Sequence, residues 1–107
     1  MSSYEYIPDL LAVMPEVLSN SIISRVVLKN DTVNVTLFGF DTDQELTEHT
    51  ASRPAMLHFL TGKAEVTLGG ETQMATPGTW IFMPANLQHS IKPLEPTRML
   101  LILIHGA

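Results

Sequence analysis

From residue 21 onward the chain alternates apolar and polar residues with a period of two, in short runs cut by Gly, Pro, Asn and Asp. That pattern constrains the fold more than any other feature. "SIISRVVLK" and "TVNVTLFGF" are rich in β-branched residues, and the "KND" between them is a turn signal, so they read as a hairpin. "LTEHT", "AMLHFL", "KAEVTL", "ETQMA", "TWIFMP", "HSIK" and "RMLLILI" follow as further short strands. The breaks between them hold Pro54, Gly62, Gly69-Gly70, Pro77-Gly78, Pro84 and Pro93. Gly69-Gly70 is a two-residue hairpin signal, because both residues can take positive φ without steric penalty. About nine short strands at close spacing, with almost no helix, predict an all-β sandwich or barrel. The exception is "PDLLAVMPEVLS" at 8–19, where Leu10, Leu11, Met14, Val17 and Leu18 have helix-like spacing. Pro15 would break a long helix, so one or two short helical turns are expected.

At 107 residues the chain has room for a single core, read as one domain over 1–107 with an N-terminal segment 1–20. A net charge of −5 with only six Lys and Arg provides no basic patch, which argues against a nucleic-acid partner. There is no cysteine, which excludes disulfides, thiolate metal sites and thiol nucleophiles. "MSSYEYIPDL" lacks the basic and long apolar regions of a secretory signal, and "MLLILI" is too short to span a bilayer. A cytoplasmic protein with no membrane partner is the expectation. Neither a Gly-rich phosphate loop nor a G-x-S-x-G elbow is present.

The placement of glycine, proline and histidine over residues 35–104 resembles the cupin superfamily. That family's first motif is G(X)5HXH(X)3–4E(X)6G, and its second is G(X)5PXG(X)2H(X)3N. In this chain His49 matches the first histidine and Gly62 the closing glycine of the first motif. Asp43 stands at its leading glycine, Ala51 at its second histidine and Ala55 at its glutamate. In the second motif Gly78, Pro84 and His89 match, Asn86 replaces the internal glycine, and Pro93 replaces the final asparagine. Fifteen residues, 63–77, separate the motifs, as in small microbial cupins. The wording is similar to single-domain, RmlC-like cupins with an HTA motif. The resemblance implies a double-stranded β-helix, or jelly roll, of six to nine strands, often a homodimer.

The resemblance also implies a metal held inside the barrel by three histidines and a glutamate, leaving positions open for substrate. Here two of the four have become alanine. His49 and His89 are the candidate metal ligands, for a divalent transition metal such as Zn, Ni, Fe or Mn. The alternative for both is a pocket histidine that hydrogen-bonds water or a ligand. Strand parity puts 55, 57 and 59 on one face, so His58 falls out of phase with the ligand set unless a β-bulge re-aims it. It is expected to pack under the N-terminal segment or at a dimer interface. Glu48 is out of phase with His49 in the same way. Ala51, Ala55, Leu57, Phe59 and Phe82 are the expected pocket lining, and Trp80 and Phe82 read as core. Asp41, Asp43, Glu45 and Glu48 read as a solvated loop, and His105 as an exposed terminus.

Two functions from different classes are read from these residues, metal binding first and a metal-free module as the alternative. One is a small cupin with a reduced metal centre, whose shell is completed by water, an anion or a small substrate. Its chemistry would then be dioxygenase- or isomerase-like, as the superfamily implies. The other is a metal-free module that binds or senses a small molecule, with the histidines as hydrogen-bond partners.

Overall fold

The computed structural model describes residues 4–105, and for Glu48 and His49 the backbone alone. Nine strands form as the alternation predicts: β1 (Ile22–Lys29), β2 (Val33–Phe40), β3 (Leu46–His49), β4 (Ala55–Thr61), β5 (Ala64–Leu68), β6 (Glu71–Ala75), β7 (Trp80–Met83), β8 (His89–Pro93) and β9 (Thr97–Ile104). They make two antiparallel sheets. One has the order β1-β2-β9-β4-β7, and the other β3-β8-β5-β6. Successive strands from β2 to β5 alternate between sheets, which is the jelly-roll path expected from the sequence.

Turn chemistry accounts for the breaks. Asn30 Oδ1 accepts from the backbone N–H groups of Thr32 and Val33, and this closes the β1–β2 hairpin. Gly69 and Gly70 both have positive φ, and Leu68 pairs directly with Glu71 across them. The motif positions share one backbone property. Gly62 and Gly78 have φ of 90° and 96°, and Asp43 and Asn86, which stand where the family has glycine, have φ of 64° and 69°. Asp and Asn are the non-glycine residues that visit this region most readily. The substitutions therefore keep the turn while losing the glycine.

The core lies between the sheets. Phe40, Ala55, Leu57, Phe59 and Met99 come from the five-stranded sheet, and Ala64, Val66, Ala75 and Ile91 from the other. Phe38 stacks on Phe40 with ring centroids 5.7 Å apart. Each large side chain buried here stabilises the fold by about 1.5–3 kcal/mol.

A second apolar layer covers part of the outer face of the five-stranded sheet. The N-terminal segment lies there, with Met14 packed against Leu37 and Leu100. Gly39 of β2 makes room for it, since a Cβ at that position would come within 2.5 Å of Met14 Sδ. Arg98 of β9 fastens the segment: Nη1 donates to the Met14 carbonyl at 2.8 Å and Nε to Thr61 Oγ1 at 3.1 Å. The helical expectation for 8–19 reduces to one 3-10 turn, Leu10–Val13, capped by the Asp9 side chain accepting from Leu11 N–H. Pro15 explains the stop. It disfavours the helical region for Met14, whose φ and ψ are −141° and 79°.

The parity expected for β7 is corrected. Ala55 pairs with Met83 and Leu57 with Ile81, so Ile81 and Met83 are the inward side chains of β7. Trp80 and Phe82 point to the outer face and are 56% and 52% exposed. Phe82 therefore neither lines the barrel nor belongs to its core.

Candidate functional site

Chain connections sort the barrel into two ends. β4 runs into β5 through Gly62 and Lys63, and β8 into β9 through 94–96. Phe59, Ala64, Pro93 and Thr97 therefore lie toward one end. There Thr97 is fully buried, and its hydroxyl donates to the Glu95 carbonyl at 2.8 Å. At the other end, β3 runs into β4 through 50–54 and β7 into β8 through 84–88. Those two loops are tied by the Asn86 N–H donating to the Ala51 carbonyl at 2.7 Å. This second end carries the motif histidines.

His89 opens β8 in phase with Ile91 and Pro93, all three buried, so it faces the interior. It is 6% exposed. Its Nδ1 lies 2.9 Å from the Leu87 carbonyl. A carbonyl can only accept, so Nδ1 carries the proton. In the neutral ring the lone pair is then on Nε2, the form required of a metal ligand or a hydrogen-bond acceptor. Leu68 of β5 is its neighbour across the sheet on one side.

On the other side the backbone partner of His89 is His49, through a register shift in β3. Leu46 pairs with Ile91, so an unbroken ladder would put Glu48 opposite His89. The extra residue of the bulge moves His49 into that place instead. The backbone thus brings the two motif histidine positions together. The side chains of Glu48 and His49 lie outside the described residues, and with them the ligand role expected of His49.

The alanines take different places. Ala51 lies beyond the end of β3, half-buried in the loop to β4, and its carbonyl holds Asn86. Ala55, Leu57 and Phe59 are buried on the inner face of β4, in contact with the apolar core. His58 is on the opposite face, half-buried, paired with Trp80 on one side and Leu100 on the other. His105 is half-buried rather than exposed, with its N–H donating to the Thr32 carbonyl. In the acidic loop, Asp41 accepts from the N–H groups of Asn20 at 2.6 Å and Thr42 at 2.8 Å. These two bonds lower its pKa. Asp43 and Glu45 are exposed, as a solvated loop requires.

Among the described residues the donor set falls short of the metal centre that the family motif implies. Among the described residues, no group of three or more His, Asp or Glu side chains could hold an ion. Ala55 brings a methyl group to the position of the motif's carboxylate, and Ala51 does the same at a histidine position. A surface cleft of about 540 Å³, lined by Glu16, Gly62, Glu95 and Arg98 among others, lies at the opposite end from His89. Sequence reasoning missed inward polar side chains, Asn34 and Thr36 on β2 and Thr97 on β9. For Asn34 and Thr36 the signal was present, since both are in phase with Phe38 and Phe40. No helix among the described residues is long and apolar enough to cross a membrane.

Comparison with known proteins agrees with this architecture. A conserved protein of unknown function from Streptococcus pyogenes superposes with a TM-score of 0.86 at 27% identity, over 99% of this chain and 92% of that one. A cupin superfamily protein from Desulfitobacterium hafniense gives 0.85 at 23% identity, over 96% and 94%. An RmlC-like cupin from Shewanella frigidimarina gives 0.76 at 15% identity, over 79% and 77%. No curated protein matches by sequence. Residues 35–107 match the family model of the AraC-like ligand binding domain. That span is most of the chain and includes both motifs, so the chain belongs to the family of AraC-like ligand-binding domains, built on the cupin fold.

Proposed function

We propose that the protein binds a small molecule in the barrel end that carries His89, with no resident metal required. The observation that carries this reading is the donor set. Two of the four ligand positions are alanine, and the methyl of Ala55 is packed among Leu57, Met83 and the rest of the apolar core. A catalytic metal site usually presents three protein ligands. A buried imidazole, His89, beside apolar strands suits a ligand with an apolar body and a polar group. Membership of a ligand-binding family supports the same reading.

The test is NMR mapping of tag-free protein against a set of small amphipathic fragments. Shift changes concentrated at Leu68, His89, Ala55 and Leu103, and lost in His89→Ala, support the reading. Changes confined to the outer face or to the Glu16–Arg98 cleft contradict it.

A second reading has one observation in its favour. The β3 bulge places His49 opposite His89 rather than leaving Glu48 there. Two imidazoles on facing strands would hold Zn, Ni, Fe or Mn only with a shell completed by the ligand itself. Dioxygenase- or isomerase-like chemistry would belong to that reading, and metal affinity that rises with an added carboxylate ligand would support it. The homodimer implied by the family would find its apolar surface at Trp80 and Phe82, and the solution mass of Trp80→Ser tests that placement.

A further inference from the structure

Among the described residues, one buried side-chain polar atom has no hydrogen-bond partner: Asn34 Oδ1. Its position follows from the strand register. β2 pairs with β9 without a shift, and Phe38 and Phe40, in phase with Asn34, pack against the inner core. Val35 and Leu37, out of phase, belong to the outer layer under the N-terminal segment. Asn34 therefore faces the barrel interior.

The register also sets its neighbours. Asn34 pairs with Lys29 on one side and Leu103 on the other, Leu103 with Ala55, and Ala55 with Met83, so the inner row at this level is Lys29, Asn34, Leu103, Ala55, Met83. This is the row from which the chain leaves toward β8 and His89. β2 leads into β3 from its Phe40 end, so its Asn34 end lies with the His49 end of β3. The carboxamide thus shares the barrel end of His89, flanked in its row by Lys29 of the edge strand β1 on one side and by apolar side chains on the other. A carboxamide is an unusual choice for an inward strand position that Val or Leu could fill, because a buried acceptor left unpaired is destabilising.

We infer that Asn34 is a specificity-determining residue of the barrel site, whose carboxamide oxygen accepts a hydrogen bond from an O–H or N–H donor on the bound small molecule. This rests on the reading that the barrel end binds a ligand, and it adds the chemical class. The occupant has an apolar face toward Leu103, which is half-buried, and a neutral donor toward Asn34. Molecules with only acceptors on that side are disfavoured, since they leave the oxygen unpaired.

Phenol and toluene test this as a pair of similar shape, differing in whether a donor is present. Each is titrated into the wild-type protein and followed by ¹H–¹⁵N NMR. The expected result is that phenol binds about tenfold more tightly, the size of one buried hydrogen bond. The strongest changes should fall on Asn34, its side-chain amide included, and on Leu103. In Asn34→Leu the preference should collapse while toluene still binds. The unliganded variant should melt no lower than wild type, because the residue removed had no partner. If both probes shift the barrel resonances equally in wild type, or Asn34→Leu keeps the preference, the assignment of Asn34 is overturned and the binding site stands. If neither probe perturbs the barrel end, the ligand-binding reading itself falls, and the role of Asn34 with it. Where the variant does not fold, the position of the phenol-specific shifts in wild type decides the matter: at the Asn34 side-chain amide they support the assignment, at the His89 ring they overturn it.

Discussion

Gly62 closes the first motif, and its replacement by alanine would test why the motif needs glycine there. Two penalties act together at this position. With φ at +90° an L-residue is strained, by about 1–2 kcal/mol for the left-handed region. A Cβ would also run into the Pro96 carbonyl oxygen and Thr97 Oγ1, and would lie 2.6 Å from Thr97 Cα. Two of those three atoms are backbone, so no rotamer change relieves the contact. The start of β9 would have to shift, at about 1–3 kcal/mol by analogy with overpacked cores. Gly62→Ala is therefore expected to lose about 2–5 kcal/mol, a large share of the ~5–15 kcal/mol typical of a domain. Gly70→Ala is the internal control. Its φ is +101°, equally unsuited to alanine, and its Cβ would meet nothing within 4 Å. That variant should show the conformational penalty alone, about 1–2 kcal/mol. Urea unfolding of both variants gives the difference as a shift in midpoint at constant slope. Equal losses in the two variants would refute the contact argument, and a Gly62→Ala protein as stable as wild type would refute both.

Three further outcomes follow from the packing and the charges. Phe82→Ser should change stability by no more than about 0.5 kcal/mol, whereas Phe59→Ala should lose about 3–5 kcal/mol; chemical denaturation giving the reverse order would mean that the parity of β7 is wrong. Met14→Ala should lose about 2–5 kcal/mol, and Arg98→Ala should speed amide exchange around Leu11–Met14 with little change in the barrel strands; uniform exchange across the chain would contradict a separately fastened segment. Asp41 has a folded-state pKa below its unfolded value, held there by the Asn20 and Thr42 N–H groups. Its contribution is therefore present above the unfolded pKa and lost as pH falls through the folded one. Asp41→Asn should flatten the acid limb of a thermal-melt series below about pH 4, where an ordinary Asp titrates; an unchanged limb would remove Asp41 from the account.

How much could be read from the chain depended on how local each determinant is. Strand number and hairpins were legible because turns announce themselves: Asn30, Gly69-Gly70 and the motif glycines act within two or three residues. The cupin path was legible from the spacing of Gly62, Gly78, Pro84 and His89. The orientation of "TWIFM" was not, because both phases of that strand are apolar and only the pairing of β7 with β4 chooses between them. The helical spacing of 8–19 misled for a related reason. Leu10, Val13 and Met14 do bury an apolar face, but Pro15 limits the helix to one turn and the sheet supplies the packing. The β3 bulge, which puts position 49 rather than 48 opposite His89, is a property of two strands and has no signature in one. Asn34 was overlooked because a polar residue in a strand of Val, Thr, Leu and Phe looks like ordinary alternation until its partners are counted.

The central claim is that this barrel end is built for a small molecule and not for a resident metal. Metal content of protein purified without an affinity tag, measured before and after exposure to Zn, Ni, Mn and Fe(II) and dialysis, addresses it directly. Well under one ion per chain is expected in every case, unchanged by His89→Ala. Close to one ion per chain that disappears in His89→Ala would contradict it.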